Sequence, residues 1–153
     1  TSTDVSRFDG KYSHVYDTEI SGITIQAPQL DIHTVAAGGG SKLQFKAGMM
    51  QVGPESVGAH PGPVCYRKKG ETLSVTDANV ILGRIRPEFF PHIFGEDEKQ
   101  PLDKNLAIEV MEKLTNKINK HNRKNQQNYK NKNATEVAYG YIQLANEAMC
   151  RPI

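Results

Sequence analysis

The chain has 153 residues, 37% of them hydrophobic, and a formal net charge of +2, which suits one domain of ordinary size. Near-balanced charge gives no overall electrostatic footprint for nucleic acid, and no apolar run approaches the roughly 20 residues of a membrane-spanning helix. No signal-peptide pattern opens the chain, and Cys65 and Cys150 lie far apart without metal-ligand spacing, so a reduced, cytoplasmic protein is expected.

The first hundred residues read as strands and loops. Ser13 to Ile20 mixes β-branched and aromatic residues with polar ones, and Gly22 to Ala27 alternates with period two until Pro28. Asp31 to Val35 is a further short strand that runs into Ala36-Ala37-Gly38-Gly39-Gly40-Ser41. Leu43 to Phe45 and Met49 to Val52 flank Ala47-Gly48 as a hairpin, and Leu73 to Thr76 is another strand candidate. Asp77 is placed to cap a short helix through Leu82.

Two amphipathic helices close the chain. In the first, Leu106, Val110, Leu114 and Ile118 recur every fourth residue beside Ala107 and Met111, with Pro101 and Asp103 marking the start. The second opens on Asn133 and Glu136, spaced as a capping box, and carries Val137, Tyr141, Leu144, Ala145 and Ala148 on one face. Between them, residues 119–133 alternate lysines and asparagines with Tyr129 as the one aromatic. Without a stacking array this reads as a disordered insertion, not a nucleic-acid site.

Two glycine-dense segments stand out, 36–41 and Gly53-Pro54-Glu55-Ser56-Val57-Gly58-Ala59-His60-Pro61-Gly62-Pro63. Such loops are either tight turns between strands or places where a ligand, often an anion, meets bare backbone N–H groups. The opening run Thr1-Ser2-Thr3-Asp4 sets hydroxyls beside a carboxylate, a combination that suits phosphate and a metal-bound water but is also common in turns. Asp31 and His33 would share one face of a strand, as a metal or proton-transfer pair or as a solvent-facing one. Asp77 and Asn79 form a second polar pair, with helix capping as the alternative. His60 lies inside the second glycine loop. Cys65 precedes Tyr66-Arg67-Lys68-Lys69, whose cations could lower its pKa, but no histidine is placed as its base, so a buried, inert thiol is the simpler reading.

Taken together, Thr1 to Ser6, Ala27 to Ser41, Val52 to Tyr66 and Val75 to Arg84, with Glu88-Phe89-Phe90-Pro91 and Ile93-Phe94-Gly95, resemble the hydantoinase A/oxoprolinase family in order and wording, nearest to its eukaryotic oxoprolinase branch. The resemblance runs to about Glu98 and resumes from Glu136. It implies an α/β fold, here an α+β fragment of an actin-like ATPase (the fold of sugar kinases and heat-shock ATPases). Residues 1–100 would be the strand and loop core and 101–153 the helices with their linker. It implies ATP and magnesium as cofactors, a small-molecule lactam substrate (5-oxoproline, opened to L-glutamate with ADP and phosphate), the remainder of the same polypeptide as partner, and a homodimer at full length. By position, Asp4, Asp31 and Asp77 would be catalytic, with Asp4 also the metal residue. Thr1, Ser2, Thr3, Gly38, Gly39, Gly40 and Ser41 would meet the nucleotide, and His33, Gly58, His60 and Asn79 the substrate region. His33 stands where the family more usually carries Asn or another polar residue. The paired glycines before Thr1, an amino-terminal lobe and an adenosine-binding segment after Ile153 are absent from this sequence, so the isolated chain is expected to be inactive. The alternatives are a hydantoinase or ATP-dependent carboxylase subunit, or a non-catalytic binding module of the same fold.

Overall fold

The computed structural model describes residues 2–151. Among them, six strands form three antiparallel pairs: β1 (Thr3–Ser6) with β4 (Ile32–Val35), β2 (His14–Ile20) with β3 (Ile23–Leu30), and β5 (Ser41–Lys46) with β6 (Met49–Ser56). Helices α1 (Val75–Ile81), α2 (Lys104–Asn125) and α3 (Ala134–Cys150) complete a mixed α/β domain.

Turn chemistry fixes the hairpins. Ser21 and Gly22, and likewise Ala47 and Gly48, have positive φ, the backbone that two-residue hairpin loops demand. The β2–β3 hairpin runs past the expected stop at Pro28. Its register jumps from Val15↔Gln29 to Asp17↔Gln26, so Pro28 falls at an irregularity, where the ladder asks for no N–H.

The expected strand at Leu73 to Thr76 is instead a helix entrance. Leu73 gives a single carbonyl to Leu43 N–H at 2.8 Å, and Ser74 then caps α1. The Ser74 side chain accepts from Asp77 N–H while the Asp77 carboxylate accepts from Ser74 N–H, so Asp77 is the third helical residue of a capping box and Ser74 is the cap.

Helix α2 starts at Asp103, whose carboxylate accepts from Leu106 N–H at 2.9 Å. Its most buried line is Ala107, Met111, Thr115, Ile118 and Asn119, one position round from the expected stripe; Leu106, Val110 and Leu114 flank it half-buried. The expected insertion from 119 is also corrected: α2 continues to Asn125. Asn119 turns inward and organises the return loop. Its Oδ1 accepts from Tyr129 O–H (2.9 Å) and Lys132 N–H (3.0 Å), and its Nδ2 donates to Lys132 C=O (2.8 Å). Arg123 and Lys124 occupy the last helical turn, where cations complement the helix dipole. Helix α3 opens on the expected Asn133–Glu136 capping box.

The core gathers α1, α2 and α3 around Val64, Cys65, Leu73 and Leu43. Tyr141, fully buried, ties α3 to β5 by donating to Gln44 C=O at 2.9 Å. Among the described residues none before Ala37 is buried. The first two strand pairs therefore lie outside the core and expose Tyr16, Ile20, Ile23 and Ile32.

Candidate active-site groove

The two glycine loops meet. Gly38 N–H donates to Ser41 Oγ and Ser41 N–H to Gly38 C=O, each at 3.0 Å, closing the first loop on itself. Gly40 C=O accepts from Val57 N–H at 2.9 Å and so joins it to the second loop. Gly39 C=O accepts both the N–H (2.8 Å) and the hydroxyl (3.0 Å) of Thr76 at the start of α1. With these carbonyls engaged, the N–H groups of Gly39 and Gly40 have no partner among the described residues. They border an open groove of about 470 Å³, lined also by Gly58, Ala59, Tyr66 and Thr76. A Cβ on Gly39 would lie 2.9 Å from Thr76 Oγ1, so the approach of loop to helix requires glycine there.

The amino-terminal hydroxyls lead into this loop. Thr3 Oγ1 donates to Ala37 C=O at 2.7 Å, and across the β1–β4 ladder Thr34 Oγ1 donates to Asp4 Oδ1 at 2.6 Å. Ser2 is exposed, and Thr1 lies outside the described residues. Asp31 and His33 do meet, with Nε2 3.3 Å from Oδ1, but His33 is exposed and Asp31 half-buried at the surface.

Asp77 faces the other way. Its carboxylate is fully buried and accepts from Val64 N–H (3.2 Å), Cys65 N–H (2.8 Å), Ser74 N–H (2.8 Å) and Ser74 O–H (2.8 Å). These donors compensate a buried charge, and they hold the turn that ends the second glycine loop against α1. Asn79 contributes its carbonyl to Arg84 and Ile85 N–H at the helix exit. The Cys65 thiol is fully buried, and burial, reinforced by the Asp77 carboxylate, pushes its pKa well above the usual thiol range. It is an inert core group, in keeping with the simpler sequence reading.

His60 belongs to a second cavity, about 550 Å³, on the far side of the same loop, lined by Pro61, Lys68, Lys69, Gly95, Glu96 and Glu98. Sequence reasoning missed Tyr66 and Thr76 in the groove and the two lysines here. The basic run at 67–69 was the available signal, but it was read only as an influence on Cys65. Asp4, Asp31 and Asp77 occupy three separate settings, and among the described residues no three metal-ligating side chains converge.

The family model described as hydantoinase/oxoprolinase matches residues 1–153. The chain belongs to the hydantoinase/oxoprolinase family. It is 60% identical over its full 153 residues to a 5-oxoprolinase of Dictyostelium discoideum and 58% identical to 5-oxoprolinase 1 of Arabidopsis thaliana, spanning 12% of each relative's length. Among solved structures, the ATP-dependent caprolactamase from Pseudomonas jessenii superposes with a TM-score of 0.69 at 32% identity, over 97% of this chain and 20% of that one. The fold resembled in sequence is thus found at the level of the family's mixed α/β domain.

Proposed function

We propose that this stretch is one wall of the catalytic cleft of an ATP-dependent cyclic amide hydrolase, a 5-oxoprolinase that opens 5-oxo-L-proline to L-glutamate with formation of ADP and phosphate. The observation that carries the reading is the groove where both glycine loops meet, bordered by Gly39 and Gly40, whose N–H groups have no partner among the described residues. Two preorganised backbone donors suit a phosphate or a developing oxyanion. The names of the relatives supply the substrate class.

The chemistry asks for such a site. A lactam carbonyl is a weak electrophile; transfer of the γ-phosphoryl group of ATP to its oxygen, with ADP leaving, opens the carbon to water. The ring C–N bond then breaks with the nitrogen taking a proton, and a second water releases phosphate from the acyl phosphate to leave glutamate. Fixed donors and metal charge lower the barrier to the transfer step by positioning and electrostatics. Magnesium usually takes one or two protein carboxylates together with substrate phosphates. Asp4, exposed on β1 and oriented by Thr34, fits that modest demand. The reading also takes an actin-like arrangement of lobes and a cytoplasmic homodimer. In it, the rest of a longer polypeptide covers the apolar surface exposed by the first two strand pairs.

The test is to incubate the native polypeptide that carries this sequence with magnesium, ATP and 5-oxo-L-proline. Glutamate and ADP forming one for one support the reading, and an Asp4→Ala variant losing most of that turnover supports the metal role. ADP release that depends on caprolactam or a hydantoin but not on oxoproline contradicts it.

A further inference from the structure

The second cavity has its own chemistry. Its walls are the His60-Pro61 side of the second glycine loop, the basic segment 67–69, and the turn at 95–98. The last two are bonded together. Gly95 N–H donates to Tyr66 C=O at 2.9 Å, and Arg67 grips Gln100 (3.0 Å) and Asp103 (2.9 Å). Arg67, Lys69 and Glu98 all hold left-handed backbone, with φ of 59°, 60° and 53°. Three non-glycine residues there cost energy that the surrounding structure must offset, and the result is that Lys68 and Lys69 are presented to one cavity.

Each lysine already carries a carboxylate. Lys68 Nζ lies 3.0 Å from Glu98 Oε1, and Lys69 pairs with Glu96. The first pair is asymmetric: the Lys68 side chain is 22% exposed and Glu98 71%. The Lys68 stem is therefore packed against the protein, while its partner carboxylate stands largely in solvent. An ion pair with so exposed a partner contributes little, so another carboxylate can displace it. A volume of about 550 Å³ is in the range of small-molecule sites. The Gly58-Ala59 side of the same loop lines the groove described above, so the two sites share a wall.

We propose that this cavity binds the carboxylate of a small carboxylic acid, with Lys68 as the fixed anchor, Lys69 and His60 supporting it, and Glu98 as the internal carboxylate that the ligand displaces. This rests on the proposed function, in which the lactam substrate bears such a carboxylate, and it assigns that group a binding partner and a specificity role.

Direct binding separates this proposal from the reaction itself. Calorimetric titration of the native polypeptide with 5-oxo-L-proline, and with the uncharged lactam 2-pyrrolidone as control, is the measurement. Lys68→Met is expected to weaken oxoproline binding at least tenfold and leave pyrrolidone and ATP binding unchanged, with Lys68→Arg recovering much of the loss. Glu98→Gln, which removes the internal competitor, is expected to tighten oxoproline binding two- to threefold. A structural role for the pair would move both variants in the same direction. That result, or no saturable oxoproline binding by the unaltered protein, or wild-type affinity in Lys68→Met, would overturn the proposal. Binding as described without ATP-dependent turnover would instead sink the proposed function and leave the carboxylate site standing.

Discussion

Thr76 donates both its backbone N–H and its hydroxyl to the carbonyl of Gly39, at 2.8 and 3.0 Å. That pair of hydrogen bonds from helix to loop fixes where the N–H groups of Gly39 and Gly40, unpartnered among the described residues, sit, and it leaves no room for a side chain on Gly39.

Gly39→Ala should therefore push the loop away from α1. A displacement of this kind near reacting groups costs on the order of a hundredfold in kcat/KM. Adding Thr76→Ala removes the atom that the new methyl meets and should recover a substantial part of the loss. Steady-state kinetics on the single and double variants check this; equal defects in both would show that the Gly39–Thr76 contact does not set the groove.

Asp77→Asn should loosen the turn at 64–65 from α1. The amide keeps one acceptor and turns its NH₂ towards groups that are themselves donors, a loss of about 3 kcal/mol. Hydrogen exchange resolved to 64–66 and 75–81 should accelerate by about two orders of magnitude, with α3 little changed. Unaltered exchange there would mean that the carboxylate is not the clamp.

Cys65 makes the domain sensitive to alkali. Its folded pKa is raised by burial and by Asp77, so folding favours the neutral thiol. That contribution is whole below the ordinary thiol value of about 8.5 and fades as pH climbs above it, by up to about 1.4 kcal/mol per pH unit. Tyr141, also raised by burial, acts in the same direction from about pH 10. At pH 8, alkylation should mark the exposed Cys150 and spare Cys65. Labelling of Cys65 should then rise with pH more steeply than that of Cys150, and a parallel rise would contradict the account.

Asn119→Ala should release the loop between α2 and α3. Three hydrogen bonds go at once, one accepted from the Lys132 N–H, one donated to the Lys132 carbonyl and one accepted from Tyr129, and the expected loss is about 2 kcal/mol. Asn125→Ala, at the exposed helix end, should cost under about 0.5 kcal/mol. Limited proteolysis within 126–133 should quicken in the first variant alone.

Local chemistry made much of the fold legible. Positive-φ turns and the Asn133–Glu136 box are written in short windows and found where the residues put them, and the helical spacing located α2 and α3, with the buried line of α2 one position round from the expected stripe. The misreadings came from longer-range partners. Pro28 stays in a strand because its neighbour Tyr16 lies at a register break, and residues 119–125 stay helical because Asn119 has Tyr129 and Lys132 to bind. At the site, the glycine loops were visible as a pair, but that Gly39 meets Thr76 depends on the packing of α1. Asp77 carried the residue type of a catalytic group, and only its four donors reveal an inward-facing clamp. The basic run at 67–69 marked Lys68 and Lys69, but nothing local placed them in a cavity, because its opposite wall, 95–98, lies almost thirty residues away.

The most direct test of the groove is amide hydrogen exchange of the native polypeptide with and without a non-hydrolysable ATP analogue and magnesium. Exchange is expected to slow in 36–41 and 56–60 at nucleotide saturation, while the β2–β3 hairpin tip at 20–23 is unchanged. Saturating nucleotide that leaves both glycine loops exchanging at their free rates would contradict it.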